Sequence, residues 1–313
     1  MKFSTGFKKN LRAQRTLRAP VSVSGVGIHS GKPAHLTLKP ASVNSGIRFV
    51  RVDLAGAPHV NADFRFVIDT RMATTLGRGS VTVSTVEHLM AALAGMGVDN
   101  VTIQVSGSEV PIMDGSSAPF AEAIARVGTI EQSGTRTVLA IRRRVEVRSG
   151  EKLAFVEPSS ALEIHGSIEW DHPMIGKQEF HYIQGETDFL SISNARTFGF
   201  LKEVEALQKR GLALGGSLEN AIVLDGERVL NPHGLRGPDE FVRHKVLDAL
   251  GDLKLAGVEI QGYFRLHRAG HDMHSQLLNE IFKDPRNYEW IEGMIESDAE
   301  APRSSYIRSL AAV

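Results

Sequence analysis

Apolar and polar residues alternate over Val21–Val23 and again over Leu36–Leu38, with Ser24-Gly25-Val26-Gly27 and Pro40 as turn residues around them. This pattern predicts short strands and turns for residues 20–55. The period changes at Ser84. Val86, Leu89, Met90 and Leu93 recur at helical spacing, and Ser84 and Glu87 stand three apart as in a capping box, so a helix is predicted that Gly95 and Gly97 end. Val101–Val105 alternates as a strand, and Pro119–Val127 reads as a second helix stopped by Gly128. Residues 129–136 are polar and turn-rich, which marks a domain boundary between 14–130 and 137–313. After it come predicted strands over Val138–Val147, Leu153–Val156 and Leu162–Trp170, then helices over Phe200–Arg210, Pro238–Ala256 and Ser275–Phe282. Pro238 is a favoured first helical residue, and Gly257 lies just past the far end of that helix. Both halves run strands first and helices after, so the fold class is α+β.

At 313 residues the chain has room for roughly two domains and buries about three quarters of its unfolded surface. With no cysteine, a disulfide framework, a thiolate nucleophile and a Cys-ligated metal are all excluded. Any metal must be held by histidines and carboxylates. The 36 basic residues equal the 36 acidic ones, which argues against general nucleic-acid binding. Lys2, Lys8, Lys9, Arg12, Arg15 and Arg18 open the chain without an acidic residue among them, and residues 1–13 read as a basic arm. As a solvated tail or as a weak attachment to an anionic membrane surface, the arm lacks the apolar stretch of a secretory signal. The longest apolar run, Leu89–Val98, has ten residues against the roughly 20 of a membrane span. The expectation is a soluble, cytoplasmic protein.

Candidate chemistry lies in four places. His244, Asp248 and Asp252 stand at i, i+4 and i+8 of the Pro238–Ala256 helix, one polar stripe along it. An imidazole and a carboxylate one turn apart fit a divalent ion, and they equally fit an exposed His–Asp helix pair. Glu87-His88 fits a metal-bound imidazole beside a carboxylate that takes a proton from water. Neighbours on a helix point about 100° apart, so the two cannot both ligate one ion from regular helix. Glu87 serves equally well in the capping box. His271, in the polar loop Arg268–His274, is either a general acid or an exposed loop residue; Thr197, at the start of the Phe200 helix, is either an oxyanion donor or a cap. The Gly25-Val26-Gly27 turn lacks the third glycine of a dinucleotide fingerprint. Together these residues provide the two histidines, the carboxylate, the spare Glu and the spare His of a mononuclear metal hydrolase.

Ser84–Leu89, Pro111–Ser116, Ala195–Phe200, Gly211–Ser217 and Phe241–Leu253, in this order and spacing, resemble the zinc-dependent UDP-3-O-acyl-N-acetylglucosamine deacetylases of lipid A biosynthesis, over about residues 14–290. The resemblance implies two similar α+β domains, each a sheet on a helix layer, with the active site between them. It implies zinc on His88, His244 and Asp248, with Glu87 as general base, His271 as general acid, Asp252 keeping His271 protonated, and Thr197 donating to the oxyanion. Fe²⁺ or Co²⁺ would also suit such ligands. Lys245 matches a substrate-contacting lysine, Phe198 stacks near the sugar, and His29, Lys152 and Glu203 match toward the nucleotide end. An inserted βαβ unit, about residues 205–225, forms a hydrophobic passage for the acyl chain, with Ile28, Ala213, Gly216, Ser217, Leu218, Ala221 and Val223 along it. The implied partner is a UDP-linked, acylated glucosamine, handled by a monomer with at most peripheral membrane contact. The competing readings are a sugar-nucleotide binder without turnover and the same amidase acting on another N-acyl amino sugar. His274 stands where the family pattern carries Asn.

Overall fold

The structure is a computed structural model, and it describes residues 13–292. All but the last residue of the basic arm, and the tail past 292, lie outside the described residues. Among the described residues six α-helices set the frame: α1 (Glu87–Gly95), α2 (Ala118–Val127), α3 (Leu190–Ser193), α4 (Leu201–Lys209), α5 (Glu240–Leu253) and α6 (His271–Lys283). The first half carries a five-stranded sheet in the order Val21–Val26, Pro33–Pro40, Val101–Ser106, Ile47–Arg51, His59–Asn61. The alternation read at Leu36–Leu38 is borne out: Leu36 and Leu38 are both buried, and Thr37 between them is not. The second half carries a seven-stranded sheet around the long strand Glu259–His267, which pairs with Lys152–Glu157, with Leu162–Trp170 and, at its start, with Val138–Ile141. The molecule is α+β, and one continuous apolar core joins both halves, from Leu17 and Phe49 through Leu89 and Leu250 to Phe264 and Ile281.

The helices of the two halves meet face to face, and α5 shows how. Apart from Arg243 and Lys245, every one of its residues is buried, His244, Asp248 and Asp252 included. The polar stripe therefore faces protein and not water. Close approach is possible at Gly251, where an added Cβ would lie 2.0 Å from the Glu87 carbonyl oxygen and 3.1 Å from the Ala91 nitrogen of α1. Gly251→Ala is accordingly expected to push α1 from α5 and to cost about 1–3 kcal/mol, the usual toll of overpacking. Chemical denaturation measures it. An unchanged midpoint would show that this helix contact does not set the spacing.

Several expectations are corrected. Residues 129–135 form no turn-rich link but a strand, antiparallel to Ala13–Leu17. The predicted strand Val138–Val147 is broken by Arg142–Arg144 into Val138–Ile141 and Val145–Ser149. No capping box forms at α1: Val86 is its N-cap residue without a side-chain bond, and Ser84 instead accepts a hydrogen bond from the Thr75 hydroxyl. α6 begins at His271, four residues before the predicted start. The βαβ unit begins at Phe198 and not near 205, since Phe198–Phe200 runs parallel to Ile222–Asp225 and α4 crosses between them. It sits on a second apolar cluster of Ile168, Ile175, Ile222, Leu224, Phe241 and Val242.

Candidate metal centre and acid–base pair

The site begins with a strained turn. Thr85 adopts φ +59°, a left-handed conformation that a β-branched residue rarely takes. Its hydroxyl donates to Glu109 Oε1 at 3.3 Å, and Glu109 also accepts the backbone N–H groups of His29 and Ser30. The turn sends the chain from strand Val81–Val83 into α1, so that Glu87 and His88 enter the interior together, 3% and 4% exposed. From the other half, α5 contributes His244 and Asp248. The Nε2 atoms of His88 and His244 lie 3.5 and 3.3 Å from Asp248 Oδ1, and the three ligand atoms fall within 4.8 Å of one another.

The donor set fits a divalent cation. Asp248 Oδ1 is buried and has no hydrogen-bond partner among the described residues, an expensive state for a carboxylate oxygen unless a cation completes it. His244 donates Nδ1–H to the Ala195 carbonyl at 3.1 Å, which leaves its Nε2 lone pair facing Asp248. Burial lowers the His244 pKa to about 3, so the ring is neutral, as a ligand must be. Burial opposes charge on Asp248 too, but its neighbours, the Lys245 ammonium among them, outweigh it and hold the carboxyl well below the usual range. Lys245 Nζ donates to Asp248 Oδ2 at 3.0 Å and so occupies the oxygen that does not face the imidazoles. Three protein ligands with a free position are the pattern of a catalytic rather than a structural site. The Ala195 carbonyl is itself held in place: the neighbouring Arg196 forms a buried pair with Glu240, Nε to Oε1 at 2.8 Å and Nη2 to Oε2 at 3.1 Å.

Beside this cluster stand a carboxylate and an imidazole that do not belong to it. Glu87 Oε2 accepts the Thr74 N–H at 3.0 Å, and Oε1 lies 3.9 Å from His271 Nε2. Burial raises the Glu87 pKa against the pull of His271 and His88, which makes it a stronger base. His271 donates Nδ1–H to Asp252 Oδ2 at 2.7 Å. Burial disfavours its charge, yet Asp252, with Glu87, prevails and raises its pKa to about 10. A proton donor thus faces a proton acceptor beside the ligand cluster. His274 Nδ1 donates to the same Asp252 oxygen at 2.8 Å, and Thr74 Oγ1 donates to Oδ1 at 2.6 Å. Asp252, His271 and His274 also have the spacing of a metal group, but Asp252 already accepts three hydrogen bonds. His271 is thus the first residue of a helix in a buried network and not a residue of an exposed loop.

The remaining predicted residues fall at different distances from this centre. Thr197 caps no helix: its N–H donates to the Gly115 carbonyl and its carbonyl accepts from Ile222 N–H, both at 2.8 Å. The Phe198 ring lies 6.2 Å from the His244 ring, and Lys245 Nζ lies 5.6 Å from the Phe198 centroid, so these three stand together. Lys152 reaches the acid end through Asp272, at 3.7 Å. His29 lies on the turn that receives the insert. Its carbonyl accepts Leu214 N–H and that of Ile28 accepts Gly215 N–H, at 3.2 and 3.0 Å. Ala213 has φ +55°, Gly216 donates its N–H back to the Ala213 carbonyl, and Ala221 donates its N–H to that of Ser217. Leu218 is exposed, and Val223 lies in the strand Ile222–Asp225. Glu203 is exposed on α4, outside the cluster. Sequence reasoning missed Thr74, Ser117, whose hydroxyl donates to the His88 carbonyl at 2.8 Å, and Gly251. Only Gly251 left a signal there, as a glycine inside a predicted helix.

A family model for UDP-3-O-acyl N-acetylglycosamine deacetylase matches residues 14–283. The chain is 51% identical over 277 residues to the UDP-3-O-acyl-N-acetylglucosamine deacetylase of Myxococcus xanthus (strain DK1622), 88% of each chain. It is 44% identical over 279 residues to that of Psychrobacter sp. (strain PRwf-1), 88% of this chain and 94% of the relative. Over 306 residues it is 44% identical to that of Teredinibacter turnerae (strain ATCC 39867 / T7901), 96% of this chain and 99% of the relative. The match takes in both halves and all the residues of the buried centre, and the chain belongs to the UDP-3-O-acyl N-acetylglycosamine deacetylase family.

Proposed function

We propose that this protein is a zinc-dependent amidohydrolase that removes acetate from the 2-N-acetyl group of UDP-3-O-(3-hydroxyacyl)-N-acetylglucosamine, the committed step of lipid A biosynthesis. The observation that carries the reading is the orphaned Asp248 Oδ1 facing two imidazole nitrogens, with Glu87 and His271 beside it. His88, His244 and Asp248 would hold the ion, and zinc bound there would lower the pKa of its water toward 7 and polarise the amide carbonyl. Glu87 takes a proton from the attacking water. The Thr197 hydroxyl donates to the oxygen that becomes negative as the carbonyl carbon turns tetrahedral. His271 then gives its Nε2 proton to the departing amine nitrogen, which leaves as the free amine instead of an amide anion. Asp252 stabilises the charged imidazole until that transfer. Two units, 14–130 and 137–292, supply the site from opposite sides: base and one ligand from the first, two ligands and the acid from the second.

Substrate placement follows the same division. Lys245 and Phe198 lie against the ligand cluster, where a charged head and a ring face suit the sugar and its diphosphate. His29, Lys152 and Glu203 are proposed for the nucleotide end. The acyl chain is proposed to run along Ile28 and the 213–223 segment. Metal analysis of the purified protein combined with an acetate-release assay tests the whole reading. One ion per chain is expected, with turnover of the acylated substrate and at least about tenfold slower turnover of UDP-N-acetylglucosamine, since remote binding energy is spent on positioning. Zinc-saturated protein that releases no acetate from the acylated substrate would overturn the activity. Equal turnover of both substrates would overturn the passage.

A further inference from the structure

A carboxylate acts usefully only if the right oxygen faces the reaction, and free rotation about its last bond would exchange the two. In this site one residue restrains both carboxylates. Thr74 is 2% exposed and stands just before the strand Thr75–Arg78. Its carbonyl accepts Val86 N–H at 3.3 Å, which ties it to the start of α1. Its N–H donates to Glu87 Oε2, and its hydroxyl donates to Asp252 Oδ1, 178 positions away in sequence. This leaves Glu87 Oε1 toward His271 Nε2, and Asp252 Oδ2 toward the Nδ1–H groups of His271 and His274. We infer that Thr74 is a positioning residue that sets the rotation of both carboxylates, delivering one oxygen of Glu87 to the proton it takes and one oxygen of Asp252 to the imidazole that gives a proton. This rests on the deacetylase reading for its chemistry, but the geometry concerns side chains already in place. The hydroxyl cannot be replaced by water from outside, because Thr74 and Asp252 are both buried.

Thr74→Val keeps the shape and the backbone N–H and deletes only the hydroxyl, whereas Thr74→Ser keeps the hydroxyl. For Thr74→Val, kcat is expected to fall about 10–100-fold, the usual effect of losing an outer hydrogen-bond partner, with KM and bound metal unchanged. Thr74→Ser should restore kcat to within about threefold of the wild type, by the same reasoning. Should the valine variant fail to fold, Thr74→Ala deletes the same hydroxyl. A second readout needs no substrate: the downfield imidazole N–H proton of His271, seen by NMR, should shift or broaden in the valine variant and keep its position in the serine one. A valine variant with wild-type kcat and an unmoved N–H proton would overturn the inference. So would a serine variant as impaired as the valine one, because the loss would then not belong to the hydroxyl. Should the wild type itself release no acetate, the deacetylase reading fails while the NMR comparison still judges the role of Thr74.

Discussion

Asp248→Ala is expected to purify with almost no metal, to lose activity in proportion, and to be less stable than the metal-free wild type. The first half of this result follows from ligand count. Losing even an outer partner of a metal ligand commonly costs 10–100-fold in affinity, and Asp248 would supply one of the three direct contacts of the proposed ligand set, so a loss of more than about 100-fold is expected. The second half follows from the electrostatics of the site. In the metal-free protein Asp248 is a fully buried anion whose neighbours more than offset its desolvation, so its removal gives up a net favourable interaction. Lys245, the partner left behind, reaches solvent with about a quarter of its side chain and can be hydrated there. The two states separate in a thermal melt. Metal at 1,000 times the wild-type Kd should stabilise the wild type by about 4 kcal/mol by mass action and the variant by no more than about 1.4 kcal/mol. Asp248→Asn, which keeps the shape, is expected to behave in the same way with a smaller loss of affinity. An alanine variant that the metal stabilises as much as the wild type would remove Asp248 from the ligand set.

How much of this was legible depended on whether the signal was local. The stripe His244–Asp248–Asp252 could be read because helical periodicity alone puts those residues on one face. Whether that face met water or protein could not be read, since it depends on α1 packing across Gly251, more than 150 residues away in sequence. The strand Thr129–Thr135 gave no sign of itself because it pairs with one strand only, buries none of its residues and so needs no apolar alternation. The start of α6 was hidden for a different reason. Its N-cap is Gly270, without the Ser, Thr or Asp side chain that usually announces a helix, so the sequence alone reads as a loop at His271.

Glu87 shows the opposite failure, a local signal that misled. Ser84 and Glu87 have capping-box spacing, but φ +59° at Thr85 turns the chain between them, and Glu87 points into the site instead. Thr74 carried no local signal of any kind, because both of its functional bonds cross to other elements. The family resemblance named ligands and acid–base residues but not the residue between them. Side chains that perform chemistry have distinctive types, whereas a residue that orients them can be any small hydrogen-bond donor.

Glu87→Gln and His271→Gln are each expected to lower kcat by about 10²–10⁴-fold while metal content and KM stay near those of the wild type. Glutamine at 87 retains an amide oxygen for the Thr74 N–H, so the residue keeps its place and loses only its ability to take a proton. Glutamine at 271 cannot give a proton at any working pH, and the amine would have to leave as an anion. The pH profiles should separate the two roles. In the wild type the rate should rise as Glu87 deprotonates and fall as His271 deprotonates, giving a bell. Glu87→Gln should flatten its acid limb and His271→Gln its alkaline limb. Because base and acid act in one reaction and Glu87 Oε1 and His271 Nε2 are 3.9 Å apart, the double variant should be little slower than the worse single one. Additive losses in the double variant would mean that the two residues serve independent steps. A Glu87→Gln variant with wild-type kcat would transfer the base role to another group.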